Sequence, residues 1–200
     1  MTSIERVAPA AGRVAPAASA ADRFQDHADL WSAGEIRPAE LVAAACDALV
    51  AGLDSPALRT LAACTRGEAD YDVPDLLPGA LGELGLVFRP AGGAEGREAG
   101  ARALARRMLA GDPDPRGFAF HMHRTHGHGL PLTERLAELN DEYDEYGGHG
   151  CFPGDRTPAE IDAEVMAEAR RLAVRPRRTA DRPAPAALRR ASRRPDRTAC

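Results

Sequence analysis

Lysine is missing from this 200-residue chain, and all 26 basic side chains are arginine. That excludes the chemistries built on a lysine amine: Schiff-base catalysis, a P-loop phosphate cradle, a protein-kinase site and Ser-x-x-Lys acyl transfer. Side-chain amides are nearly as scarce, with Gln25 and Asn140 alone, and isoleucine occurs only at Ile4, Ile36 and Ile161. Lys, Asn and Ile have AT-rich codons, so the pattern points to a GC-rich bacterial genome. Aromatic residues make up 4% of the chain, and much of its 44% hydrophobic share is alanine. A core of this composition must come from Leu, Val and Ala on closely packed helices, because Ala is the best helix former and strands favour β-branched and aromatic side chains.

The four cysteines, Cys46, Cys64, Cys151 and Cys200, show no Cys-x-x-Cys spacing and are too sparse for a disulfide scaffold. Cys46 and Cys64 sit among apolar helical positions and read as small buried hydrophobes. No apolar run approaches the roughly 20 residues that span a bilayer. Pro9 and Pro16 interrupt the N-terminal stretch where a signal peptide would lie. These absences lead us to expect a cytoplasmic protein without a membrane partner. No Gly-x-Ser-x-Gly elbow occurs, and no Gly-x-Gly-x-x-Gly follows a strand. Ser55, directly before Pro56, reads as a helix cap, and Cys151 near His149 is the only Cys/His neighbourhood. The balance is against an enzyme.

The net charge of −4 conceals a split. Residues 175–200 hold nine arginines against Asp181 and Asp196, for +7, and residues 1–21 hold Arg6, Arg13 and Glu5, for +1, which leaves −12 on residues 22–174. An acidic body repels phosphate, so nucleic-acid binding is not expected except through the arginine tail.

Residues 1–21 contain a duplication, Arg6-Val-Ala-Pro-Ala-Ala and Arg13-Val-Ala-Pro-Ala-Ala, and have no large side chains to bury. Residues 175–200 are mostly Arg, Pro and Ala, with almost no large apolar residues. Both ends are expected to be disordered, flanking one helical domain at 22–174. Within that span, apolar residues recur at helical spacing. Phe24, Ala28 and Trp31 mark a helix over 22–32. Leu41, Val42, Ala45 and Leu49 mark a second, from Pro38 to Gly52, and Leu58, Leu61 and Ala62 a third, from Ser55-Pro56. Pro78 and Gly79 inside 74–84 predict a fourth that is kinked or begins late. A fifth covers 94–110, and a sixth follows the Asp112-Pro113-Asp114-Pro115 turn with Phe118 and Met122. A seventh over 131–145 carries Leu132, Leu136, Leu139 and Tyr143. The eighth opens on a capping box, Thr157-Pro158-Ala159-Glu160. Only Leu86-Val87-Phe88 reads as a short extended piece. The expected fold is all-α, an irregular bundle of seven or eight short helices around a single core.

Two clusters carry chemistry. Four of the six histidines, His121, His123, His126 and His128, fall within eight residues. Imidazole is the commonest ligand of zinc, copper and nickel, so the cluster reads as a surface transition-metal site, for zinc or nickel, with His149 and Cys151 as further ligands. On a helix, His123 and His126 at i, i+3 share a face, whereas i and i+2 diverge. The alternative is a set of solvated side chains at a frayed helix end. The second cluster, Glu138-Leu139-Asn140-Asp141-Glu142-Tyr143-Asp144-Glu145, sets carboxylates around a buried stripe. Asp141, Glu142, Asp144 and Glu145 can dock a basic protein partner, hold a metal or simply be solvated.

The stretch Leu41–Leu86, including Cys46-Asp47-Ala48-Leu49-Val50-Ala51-Gly52-Leu53-Asp54-Ser55-Pro56-Ala57-Leu58, resembles a recurring type of small α-helical protein of high-GC bacteria. So do Asp141-Glu142-Tyr143, Ile161-Asp162-Ala163-Glu164 and Glu168-Ala169-Arg170-Arg171-Leu172. The resemblance spans about 22–174 and implies a helical fold without a particular activity; the His/Gly stretch and both tails depart from it. The leading expectation is a non-enzymatic interaction or regulatory protein of the immunity type, acting on another protein through its acidic helical surface. The alternatives are a transition-metal-binding protein and a small hydrolase with a carboxylate-held metal.

Overall fold

The structure, a computed structural model, describes residues 19–149 and 156–174. In chain order the helices are α1 (Ala20–Ser32), α2 (Pro38–Val50), α3 (Pro56–Ala62), α4 (Ala69–Glu83), α5 (Ala94–Leu109), α6 (Pro115–His126), a 3-10 turn at Pro131–Thr133, α7 (Glu134–His149) and α8 (Pro158–Leu172). No strand occurs among the described residues, and the fold is the all-α irregular bundle that the periodicity predicts. No helix among them is long and apolar enough to cross a membrane. The expectations for 1–18 and 175–200 lie outside the described residues.

Helix starts follow the caps. The hydroxyls of Ser19, Ser55 and Thr157 accept from the backbone N–H groups of Asp22, Leu58 and Glu160, and the Asp114 carboxylate accepts from Gly117, satisfying amides that lack a partner inside their helices. Because Ser19 and Asp22 form a capping box, α1 begins at Ala20, two residues before the expected start.

Two expectations give way. Helix α4 begins at Ala69 and runs unbroken through Pro74 and Pro78. Each interior proline removes a hydrogen bond and disfavours helical backbone in the residue before it. Those preceding residues, Val73 and Leu77, are fully buried together with Ala69, Ala80 and Leu81. Burial of one face outweighs the loss, with Pro74 turned to solvent. Cys46 is exposed rather than buried: the inward face of α2 is Leu41, Ala45 and Ala48, and Cys46 lies a further 100° or so round the helix. Cys64 is half-buried, and burial raises its thiol pKa.

The single expected core is two. One cluster gathers Phe24, Ala28, Leu41, Leu58, Leu61, Val73, Leu77 and Leu81 from α1–α4. The other gathers Leu30 with Met108, Phe118, Met122, Leu136, Leu139, Ile161, Val165 and Leu172 from α5–α8. Helix α1 feeds both, Phe24 and Ala28 at i, i+4 facing one and Leu30 the other, and Ile36 packs against each. The chain passes between the two groups along α1. The Gln25 side chain pairs with both the N–H and the carbonyl of Val87 at 2.8 and 2.9 Å. These bonds hold the Leu86-Val87-Phe88 piece against α1, and it forms no strand. The buried Asp29 carboxylate takes a 2.6 Å contact from Arg89, and Ser32 donates to the Arg89 carbonyl. Burial raises the Asp29 pKa against the opposing pull of Arg89.

Candidate metal centre

Helix α6 turns Phe118, Ala119 and Met122 into the second core, which leaves His123 at the edge of that face. The helix ends at Gly127, whose φ of +54° only glycine adopts without strain, and His128 follows on the reversed chain. Helix α7 then folds back with Leu136, Leu139 and Tyr143 buried. Next to that stripe, Asn140 and Asp141 reach α6.

Three side chains meet here. Single donor atoms of His123, His128 and Asp141 all lie within 4.8 Å of one another. His123 Nδ1 is 3.2 Å from Asp141 Oδ1, and His128 Nε2 is 3.4 Å from Asp141 Oδ2. The two imidazole rings meet edge to face, with centroids 5.2 Å apart. The other nitrogen of His128, Nδ1, lies 2.8 Å from Glu134 Oε1. That bond, and then the attraction of Asp141, raise the His128 pKa. His123 Nδ1 also lies 3.0 Å from Asn140 Nδ2. The cluster is open to solvent on one side: His128 is 50% exposed and Asp141 46%.

The remaining sequence candidates go elsewhere. His121 Nε2 pairs with Glu35 Oε2 at 2.7 Å, in the turn between α1 and α2, and that hydrogen bond raises the His121 pKa. His126 is on the same side of α6, where burial lowers its pKa against the pull of Glu35. The expected sharing of an ion by His123 and His126 therefore gives way to a pairing of His123 with His128, across the glycine turn. The His149 side chain and Cys151 lie outside the described residues.

The acidic run is divided in the same way. Asp141 belongs to the histidines. Glu142 is tied to Arg156 at 2.6 Å and to Arg135 at 3.3 Å, and Glu164 joins both arginines from α8. Asp144 accepts from Asn140 at 3.3 Å. Asp144 and Glu145 are the exposed members of the four. Tyr143 donates to Asp162 beneath the Arg116 guanidinium, and burial raises its pKa.

Sequence reasoning assigned Asp141 to a docking face and did not single out Glu134 or Asn140. The usable signal is the buried face of α7: Asp141 lies four positions after the buried Ala137 and so borders that face, where a preceding helix packs. No protein-family model, no curated protein and no solved structure matches this chain.

Proposed function

We propose that this protein binds one divalent first-row transition ion, zinc or nickel, through His123, His128 and Asp141. The observation that supports this is the convergence of three donor atoms within 4.8 Å, from a helix, the turn that follows it and the next helix. A tetrahedral zinc with bonds of roughly 2.0–2.2 Å keeps its ligand atoms about 3.3–3.5 Å apart. The imidazole–carboxylate separations of 3.2 and 3.4 Å, one to each oxygen of Asp141, are close to that spacing. Two imidazoles with one carboxylate favour zinc or nickel over calcium or magnesium, which take oxygen ligands. The solvent-facing side gives a fourth ligand, water or a partner's side chain, a way in.

A docking role for the acidic surface has less support. Glu142 is already paired with Arg156 and Asp141 faces the two histidines, so the described face offers a basic partner mainly Asp144 and Glu145. A carboxylate-held metal likewise lacks a second free carboxylate, because Glu134 is bound to His128.

Isothermal titration of the full chain with Zn²⁺ and Ni²⁺ tests the proposal. The expected result is one equivalent bound with a Kd of about micromolar or tighter, lost in His123→Ala, His128→Ala and Asp141→Asn but kept in His27→Ala. Weaker binding by the wild type, or equal binding by the three variants, refutes it.

A further inference from the structure

Both histidines of the cluster meet side chains of α7 at their Nδ1 atoms, His128 a carboxylate and His123 both an amide and a carboxylate. Glu134 Oε1, 2.8 Å from His128 Nδ1, is a carboxylate oxygen and only accepts. A neutral His128 therefore keeps its proton on Nδ1. Its Nε2, 3.4 Å from Asp141 Oδ2, is left with the lone pair. Asn140 is buried, and its Nδ2 lies 3.0 Å from His123 Nδ1 and 3.3 Å from Asp144 Oδ2. Exchanging the amide nitrogen and oxygen would set an oxygen against the Asp144 carboxylate, so the nitrogen is fixed in place. An amide N–H only donates, whereas the Asp141 carboxylate, 3.2 Å from the same nitrogen, only accepts, so the two neighbours of His123 Nδ1 make opposed demands and do not fix one tautomer.

We propose that Glu134 is the positioning residue of the metal site: it fixes the His128 ring and tautomer so that Nε2 is presented to the ion. This rests on the metal-binding proposal above. A carboxylate on the far nitrogen of a ligating histidine orients the ring and makes it more basic, and its loss typically costs 10–100-fold in metal affinity. Glu134 suits that part because the first residue of α7 lies seven positions, two helical turns, before Asp141. Both carboxylates thus sit on one face of the helix, one to orient His128 and one to share its ion.

The test uses the full chain labelled with ¹⁵N at histidine, held well above the imidazole pKa range, with zinc titrations in parallel. In the metal-free wild type, ¹⁵N shifts are expected to place the His128 proton on Nδ1. In Glu134→Ala, the His128 proton should shift toward Nε2, beside Asp141 Oδ2, while His123 stays as it was. Zinc affinity should fall 10–100-fold. Glu134→Gln, whose amide oxygen can accept the same bond, should recover most of both. If the wild type binds zinc and Glu134→Ala binds it equally, with the His128 tautomer unmoved, the positioning role is wrong and the metal site stands. If the wild type does not bind zinc, the metal site itself fails, and the positioning role fails with it.

Discussion

Replacing Gly100 by alanine should destabilise the protein, although alanine is the better helix former. Gly100 is in the middle of α5, where it crosses the end of α1. A Cβ built there lies 2.3 Å from the Cβ of Ala33 and 3.3 Å from the carbonyl oxygen of Asp29. Carbon atoms in contact settle at about 3.5–4.0 Å, so the two methyl groups must separate by more than an ångström. Neither can swing away, since each is bonded directly to its backbone. The helices must part instead, and the same crossing carries Gly96, where an added Cβ would meet Ser32 at 3.3 Å, and the Arg106–Asp26 pair at 2.7 Å. Overpacking costs about 1–3 kcal/mol, and an approach of 2.3 Å between two fixed methyl groups belongs at the upper end, about 2–3 kcal/mol; against roughly 1 kcal/mol gained from helix propensity, the net loss is on the order of 1–2 kcal/mol.

Gly79 gives the opposite case within the same protein. It is inside α4, and its added Cβ meets only Ala57 at 3.7 Å, an ordinary contact. Gly79→Ala should raise stability by about 0.5–1 kcal/mol. Urea melts followed by circular dichroism, with unchanged m values, measure both. Adding Ala33→Gly to Gly100→Ala should restore most of the loss, so a double-mutant cycle should return a coupling of roughly 1–2 kcal/mol. A Gly100→Ala variant as stable as wild type, or an Ala33→Gly change that does not rescue it, would refute the close crossing of α1 and α5.

Three further outcomes are expected. Zinc at a hundred times its Kd should stabilise the wild type by about 2.7 kcal/mol and leave Asp141→Asn unchanged, read as a shift in thermal midpoint. Pro74→Ala, at an exposed position in α4, should restore a backbone hydrogen bond and stabilise by on the order of 1 kcal/mol; a loss of stability would mean that the proline is better tolerated there than an N–H. The Glu160 carboxylate is held below its ordinary pKa of 4.5 by the Thr157 backbone N–H and hydroxyl, and Glu40 and Glu68 are lowered in the same way by Arg37 and Thr65. A lowered folded-state pKa gives stability that is complete above the ordinary value and lost as the pH falls through the folded one. Glu160→Gln should therefore lie below wild type in thermal midpoint near neutrality and converge with it under acid conditions. Parallel curves at all pH values would rule out the ionised cap.

The difference between the legible and the illegible parts of this molecule is one of range. Apolar spacing located every helix because the inward face is set by residues three and four apart, and Leu136, Leu139 and Tyr143 mark it without reference to the rest of the chain. Capping is as local, which is why the Thr157–Glu160 box was legible. The start of α4 was not, because Pro74 and Pro78 argue locally against a helix that the burial of Val73 and Leu77 against α2 and α3 sustains. The division into two cores was hidden for a similar reason: a stripe shows that a face is buried, not which partner covers it. In α1, Phe24 and Leu30 look equivalent in sequence and face different clusters.

The metal candidate shows the same limit in its chemistry. Density of histidine drew attention to His121, His123, His126 and His128 as one group, whereas helical geometry separates them. His121 faces Glu35, and only His123 and His128 face α7, because the turn at Gly127 carries His128 back toward α6. What completes the set is Asp141, thirteen positions beyond His128 and in a segment whose composition suggested a solvated face. No spacing rule joins the two segments, since their distance is fixed by how α7 folds back on α6, and that depends on Met122, Leu136 and Leu139 sharing one core. The contact also changes the meaning of the acidic run. A carboxylate that counts toward surface charge in the sequence faces two histidines in the fold, and Glu142 becomes a link between Arg135 and Arg156. The number of carboxylates in an α-helical body such as this one therefore overstates how many it offers to a partner, and the difference is found where its helices pair.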